Sequence, residues 1–258
     1  MGTLTPLRPG TVTLVAGGPG DPGLMTVAGR AAVEQADVLL VDHLAPQGAL
    51  AWARPDAEVL DVAKLPRGRT TPQERINELL VTHARAGRRV VRLKGGDGFV
   101  FGRGMEEVLA CAEAGVPTRV LPGVSSAVAV PALAGIPVTH RGIVHGFSVV
   151  SGHVPPGHPT CTLDYAALAA TGTTLVVLMG VANLSCIAAE LLAHGLSPET
   201  PAAVIARGGH PDQVVRTACL ARIADVAAGL APPAVTVIGD VARFAVPTPA
   251  TELVEETR

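Results

Sequence analysis

Two glycine-rich segments, each following an apolar run that reads as a strand, hold most of the side chains with which this chain could do chemistry. The first is Ala16-Gly17-Gly18-Pro19-Gly20-Asp21-Pro22-Gly23. Gly18, Gly20 and Gly23 fit G-x-G-x-x-G, and Asp42 ends the next apolar run about where a ribose-binding acid would sit. A dinucleotide pyrophosphate, however, is held by backbone N–H groups at a helix N-terminus, and Pro19 and Pro22 each remove one such donor. The segment therefore suits a ligand packed by shape and free of phosphate, with a plain tight turn as the alternative. The second segment runs from Arg92 through Lys94-Gly95-Gly96-Asp97 to Arg103-Gly104. It lacks the Gly-Lys-[Ser/Thr] of a P-loop. Gly95 and Gly96 permit close backbone approach, and Asp97 can accept hydrogen bonds from ribose hydroxyls. A third motif, Val138-Thr139-His140-Arg141-Gly142, adds a second arginine. Arg103 and Arg141 are forked cations of the kind a carboxylate-rich substrate requires.

These segments must be positioned by an alternation of short β-rich runs and helical patterns, the mark of an α/β architecture with a largely parallel sheet. Strands are expected at 12–16, 37–41, 58–63, 89–93 and 118–121, with helices near 26–35, 71–86 and 105–114. Thr71-Pro72-Gln73-Glu74 has capping-box spacing with Pro at the first helical position. A small-residue helix at 125–134 and a Gly/Pro/His/Arg segment at 135–146 precede a second alternation. It has strands near 147–151, 174–179, 201–206, 213–217 and 234–238 and helices near 183–194 and 223–229. The expected organisation is an N-terminal α/β domain over 11–122, an interdomain segment over 123–146 and a C-terminal α/β domain over 147–245, with mostly parallel sheets forming a cleft.

Composition narrows the function classes. The 258 residues carry 20 Lys+Arg against 22 Asp+Glu, a net charge of -2 with no basic footprint for nucleic acid. Only 6 aromatic residues (1 Trp, 1 Tyr, 4 Phe) are present, few for base stacking. No stretch approaches the ~20 apolar residues of a membrane span, and residues 1–10 lack a secretory apolar core, so a cytoplasmic protein is expected. The four cysteines (Cys111, Cys161, Cys186, Cys219) form no C-x-x-C, and buried free thiols are the expectation. No two histidines have H-x-x-x-H spacing, and no metal is expected. Lysine occurs only at Lys64 and Lys94, arginine having displaced it elsewhere.

At these residues the sequence resembles a known family. The ordered set 15–22, Ala36-Asp37-Val38, Asp42, Lys64, 73–80, 90–103, 122–127, 135–141, Ser151-Gly152-His153 and Leu178-Met179-Gly180 is similar to the uroporphyrinogen-III C-methyltransferases, which are tetrapyrrole methylases. The likeness covers about 11–242. It implies a two-domain α/β homodimer that binds S-adenosylmethionine in the cleft and releases S-adenosylhomocysteine. It implies transfer of two methyl groups, at C2 and C7, to uroporphyrinogen III, giving precorrin-2 by way of precorrin-1 for cobalamin or sirohaem. Carried over by position, it implies cofactor contacts at Pro19, Gly95, Gly96, Asp97, Val100, Ser125, Ser126, Met179 and Gly208. Asp42 is then proton acceptor and Lys64 proton donor, while Arg103, Glu106 and Arg141 bind the tetrapyrrole. Arg103 is either anchor or base at this stage; a guanidinium with pKa above ~12 is the more natural anchor.

The chain departs from the family pattern at Gly98, where Pro is common, at Met105 and Ala63, where Gly is common, and at Gly209, where Thr is frequent. None of these removes a group assigned to chemistry. The two expected domains account for the whole length, which implies a stand-alone methylase without a fused lyase or dehydrogenase. Competing readings are a later precorrin C-methyltransferase of the same fold, a ribosomal-RNA methylase, an NAD-dependent oxidoreductase and a silent tetrapyrrole-binding protein.

Overall fold

The computed structural model describes residues 5–62 and 71–246, which divide into two compact units after Ala129. The division falls inside the expected interdomain segment, within a helix. In the first unit, β1 (Thr11–Ala16), β2 (Val38–Val41), β3 (Glu58–Asp61), β4 (Arg89–Lys94) and β5 (Thr118–Leu121) form one sheet in the order β3-β2-β4-β1-β5, with all four ladders parallel. Helices α1 (Val27–Gln35), α2 (Gln73–Arg85) and α3 (Gly104–Glu113) supply crossovers, and α4 (Ser126–Leu133) follows β5. Of the strand expected at 58–63, residue 63 lies outside the described residues, as does Lys64.

Parallel strands covered on both faces read as continuous apolar runs, and β2 is buried at every position. Alternate residues feed two cores. Val15, Leu39, Val41, Val91 and Leu93 pack with Val33 of α1. Val12, Leu14, Leu40 and Val90 pack with Leu80 of α2 and Cys111 of α3. By the period of two, Arg92 and Lys94 share the face of Val90, which is the α2/α3 side. The expected capping box at α2 does not form. Pro72 is itself the cap, at φ −58° and ψ 147°, and makes no side-chain cap bond. Its extended ψ delays the first helical residue to Gln73.

In the second unit, β6 (Phe147–Ser151), β7 (Thr174–Leu178), β8 (Pro201–Ala206), β9 (Val214–Cys219) and β10 (Ala234–Ile238) are ordered β6-β7-β10-β8-β9. Helices α5 (Tyr165–Ala170), α6 (Leu184–Ala193) and α7 (Ile223–Val226) pack on it, enclosing Leu175, Val177, Ile187, Leu191, Val204 and Ile223. Five of the eight described ladders are parallel, but the second sheet has only one, β6 with β7. The expectation of a mostly parallel second sheet is therefore corrected. The link between β8 and β9, residues 207–213, is too short for a crossover and closes a hairpin. Helix α5, six residues capped by Asp164, is too short to show a helical period in sequence. All four cysteines are free, but only Cys111 is buried and Cys186 is exposed, which corrects the expectation of burial.

Asp37, at the amino end of β2, ties the bottom of the first sheet together. Its carboxylate accepts from Arg89 Nη2 at 2.6 Å, Arg89 Nε at 3.0 Å, the Arg89 amide at 2.8 Å and Arg54 Nη1 at 3.0 Å. The Arg89 hydrogen bond holds this carboxyl well below the usual carboxylate range. A depressed native pKa contributes stability that is complete above the unfolded value and lost as pH falls through the folded one. We expect Asp37→Asn to lower the melting temperature at pH 7, with the difference from wild type shrinking as pH falls below about 4. Thermal melts at pH 7 and pH 3 check this.

Candidate active site

In an open parallel sheet, ligands bind beyond the carboxyl ends of the strands, where successive connections leave in opposite directions. The first sheet has this point between β1 and β4. From β1 the chain crosses to β2 beyond β4, and from β4 it crosses to β5 beyond β1. The two glycine-rich segments are the loops that leave there. Gly18 N–H donates to Gly96 O at 3.1 Å and Gly96 N–H to Gly18 O at 2.7 Å, so the loops are joined to each other. Gly17 N–H donates to Lys94 O at 2.7 Å below them.

The loop after β2 closes on the same place. A Cβ on Gly95 would lie 2.4 Å from Leu44 O, and one on Gly17 would lie 2.4 Å from Pro46 Cδ. Gly96 sits at φ +60° with Ser126 Oγ beside it. Asp97 Oδ1 accepts from Phe99 N–H at 2.9 Å and Oδ2 from Gly123 N–H at 3.3 Å, tying the loop to the segment before α4. Of the expected cofactor residues, Pro19, Gly95, Gly96, Asp97 and Ser125 thus belong to loops at one edge of the first unit, and Ser126 begins α4 there. Val100 lies next along the same segment and is exposed. The dinucleotide fingerprint fails in detail. Gly23 lies in a short 3-10 turn, α1 begins only at Val27, and its first amides are capped by Thr26, whose Oγ1 accepts from Gly29 N–H at 3.0 Å.

Beneath the loops lies a group of four charges. Arg92 Nη2 donates to Asp42 Oδ1, and Arg92 Nε to Glu107 Oε1 at 2.9 Å. Lys94 Nζ is 3.1 Å from Glu107 Oε1 and 3.4 Å from Asp42 Oδ2. Gln73 Nε2 donates to the same Glu107 Oε1 at 3.4 Å. Arg92, Lys94 and Glu107 are buried, while the Asp42 side chain keeps 29% exposure. Two anions balance two cations, the condition under which such charges tolerate burial; breaking one pair in a buried set typically costs ~3–5 kcal/mol. Glu107 Oε2 has no hydrogen-bond partner among the described residues. Burial, aided by the negative charge of Glu107, pushes the Cys111 thiol up to about 11, so this cysteine is no thiolate at neutral pH.

Sequence reasoning placed Asp42 but missed Arg92, Lys94 and Glu107 as site residues. The signal was two charges, two residues apart, on the face of β4 that otherwise carries only Val90. Glu107 repeats it on α3, on the buried stripe with Gly104 and Cys111.

Arg103 and Glu106 form an exposed fork of their own, Nε to Oε1 at 2.9 Å and Nη2 to Oε2 at 2.7 Å. The hydrogen bond from Arg103 lowers the Glu106 pKa, and that to Glu106 raises the Arg103 pKa further. Arg103 is held at φ +57°, a strained geometry for a residue with a side chain. Arg141, Met179 and Gly208 belong to the second unit. Arg141 is exposed, and its carbonyl is 2.7 Å from His140 Nδ1. Met179, at φ +57°, follows β7. Gly208 follows β8 with Val130 Cγ1 2.4 Å from where its Cβ would be. Strands β7 and β8 both run antiparallel to β10 between them, so Met179 and Gly208 lie at the same edge of that sheet. No group of three or more potential metal ligands occurs among the described residues, and no described helix is long and apolar enough to cross a membrane.

Comparison with known proteins gives concordant matches. A family model described as Tetrapyrrole (Corrin/Porphyrin) Methylases matches residues 11–224. Siroheme synthase 1 of Klebsiella pneumoniae is 44% identical over 235 residues, 91% of this chain and 50% of that protein. The chain spans about half the length of the curated relatives it matches. The crystal structure of uroporphyrin-III C-methyl transferase from Thermus thermophilus, complexed with S-adenyl homocysteine, superposes with TM-score 0.77 at 41% identity, covering 90% of this chain and 99% of that one. A cobalt precorrin-4 methyltransferase superposes with TM-score 0.81 at 26% identity, covering 90% and 96%.

The contact of Gly95 with the loop after β2 makes a size prediction. Gly95→Ala forces that loop and the loop after β4 apart and is expected to cost about 1–3 kcal/mol of stability. Gly98→Ala, whose Cβ meets only the Lys94 side chain at 3.3 Å, should cost less. Denaturant unfolding of the two variants measures the difference.

Proposed function

The chain belongs to the tetrapyrrole (corrin/porphyrin) methylases, and from that premise we propose that it is an S-adenosylmethionine-dependent C-methyltransferase acting on uroporphyrinogen III. It adds methyl groups at C2 and C7 to give precorrin-2. The observation that carries this reading is the joining of the Gly18 and Gly96 loops above Asp42, in a chain so similar to a solved uroporphyrin-III C-methyl transferase over almost that protein's entire length.

The residues at the loops suit S-adenosylmethionine. Asp97 keeps free lone pairs for a diol after holding the amides of Phe99 and Gly123. Gly95 and Gly96 present backbone without side chains, the Ser126 hydroxyl lies beside Gly96 with Ser125 preceding it, and Val100 adds apolar surface. A sulfonium bearing one carboxylate and no phosphate does not need the amides that Pro19 and Pro22 remove. We assign Met179 and Gly208 of the second unit to the same ligand. When bound, it supplies an electrophilic methyl group for an electron-rich pyrrole carbon.

The protein's own work is alignment, anchoring and proton removal. Alignment of reacting atoms is worth up to ~7–11 kcal/mol in well-oriented systems. Arg103 and Arg141 anchor substrate carboxylates, Arg103 exchanging its fork from Glu106 to the ligand. Its raised pKa rules it out as a base in this reading. Asp42 takes the proton that the macrocycle releases between the two methylations, a service worth roughly 10²–10⁴-fold. Lys64, the assigned proton donor, lies outside the described residues. A second reading, a later precorrin methyltransferase, draws support from the superposition on the cobalt precorrin-4 enzyme.

We also propose that the protein is a cytoplasmic homodimer. The exposed apolar side chains of Phe101, Met105 and Leu109 offer surface for a partner copy, and an exposed free Cys186 is compatible with a reducing compartment.

Anaerobic incubation with S-adenosylmethionine and uroporphyrinogen III should give two added methyl groups by mass spectrometry and two S-adenosylhomocysteine per tetrapyrrole. Asp42→Ala should lower kcat by about 100-fold or more, and Arg103→Met should raise KM more than it lowers kcat. No transfer to this substrate, with transfer to a later precorrin, would establish the second reading. Light scattering of the eluting protein should give twice the monomer mass; a monomer mass overturns the dimer.

A further inference from the structure

The group beneath the loops contains a cation that no ligand contact explains. Lys94 is 3% exposed, and its ammonium lies between two carboxylates of the protein, Glu107 Oε1 at 3.1 Å and Asp42 Oδ2 at 3.4 Å. We propose that Lys94 is a positioning residue for Asp42. With Arg92 it holds the carboxylate in the one orientation that presents its remaining lone pairs outward. The inference rests on the reading of Asp42 as proton acceptor and deepens it.

The geometry divides the work between the two cations. Arg92 takes Asp42 Oδ1 and Lys94 takes Oδ2, so each oxygen has its own tether and rotation about the Cβ–Cγ bond breaks both. Both cations rise from the same face of β4, two residues apart, and both are held from behind by Glu107 Oε1. Glu107 is itself fully buried on α3. With the carbonyls of Leu40 and Leu93 accepting from Arg92 Nη1 at 3.3 and 3.4 Å, the arginine is fixed independently of the lysine. Lys94 has no such backbone support among the described residues, and its place depends on the two carboxylates. Removing it leaves the Asp42 carboxylate, among the described residues, with the Arg92 tether on Oδ1 and none on Oδ2. Glu107 is no rival base, because it is sealed from solvent while 29% of the Asp42 side chain is open.

The test is a double-mutant cycle in the full-length protein, read on methyl transfer to uroporphyrinogen III and on binding of S-adenosylhomocysteine by calorimetry. Lys94→Met should lower kcat by up to about 100-fold, with KM and S-adenosylhomocysteine affinity changed less than about threefold. In an Asp42→Asn background the same substitution should cost less than about threefold, since the group it positions is already gone. A similar loss in both backgrounds, or a fall in S-adenosylhomocysteine affinity that matches the fall in kcat, overturns the proposal. If Lys94→Met does not fold, Lys94→Met with Glu107→Gln removes one charge of each sign and takes its place in the cycle. The crystal structure of the variant is the second readout. Asp42 rotated or split between rotamers supports the proposal, and an unmoved carboxylate overturns it. That readout needs no turnover, so a wild type that fails to methylate uroporphyrinogen III counts against the proposed function and leaves this inference testable.

Discussion

The first unit depends on how four charges are held inside an apolar sheet. Arg92, Lys94, Glu107 and Asp42 sit where β4, α3 and the end of β2 converge, and their charges sum to zero. Each member is costly alone and tolerable in the set. This binds the elements to one another more specifically than apolar packing does, because a strand shifted by one residue would turn Arg92 and Lys94 toward the α1 core, where no described residue is a buried carboxylate. The arrangement also leaves one carboxylate, that of Asp42, open to solvent at the sheet's carboxyl edge.

Strand β2 shows how the same residue type does different work at its two ends. Asp37, at the amino end, is saturated with four donors from Arg89 and Arg54 and serves the fold. Asp42, at the carboxyl end, is held on one side only. The polarity of a parallel sheet explains the division, since loops at the carboxyl ends can vary and bind while the opposite edge closes the structure. The glycines above Asp42 follow from the same geometry. Loops after β1, β2 and β4 approach so closely at Gly17 and Gly95 that a Cβ would collide with backbone or proline ring.

Arg103 illustrates a side chain whose role depends on its neighbour. Seen alone it is either base or anchor. Its fork with Glu106 raises its pKa and so strengthens its cationic character, which is what supports the proposed anchor. Its strained backbone is matched at Met179 in the second unit, at the end of β7. Both positions are loop residues aimed by rigid elements, where strain tends to be retained for function.

Much was legible in the sequence because its causes are local. Alternating apolar runs marked nearly every strand, proline removed amides from the first glycine loop, and the motif from Arg92 to Arg103 carried the family. Asp42 was marked by its place at a strand end, and its part in the chemistry was implied by the resemblance. Tertiary structure alone decided the rest. That Arg92 and Lys94 meet Glu107 depends on α3 crossing the face of β4, a pairing across 13 to 15 residues that no local pattern encodes. The antiparallel strands of the second sheet were hidden because buried strands look alike in either direction, and only the length of a connection separates hairpin from crossover. The α2 cap shifted by one residue because ψ at Pro72, which residue type leaves open, is set by the chain's path into the helix. Side-chain type and spacing thus determined the elements, while the pairing of buried charges, which depends on position in three dimensions, was settled only by the packed fold.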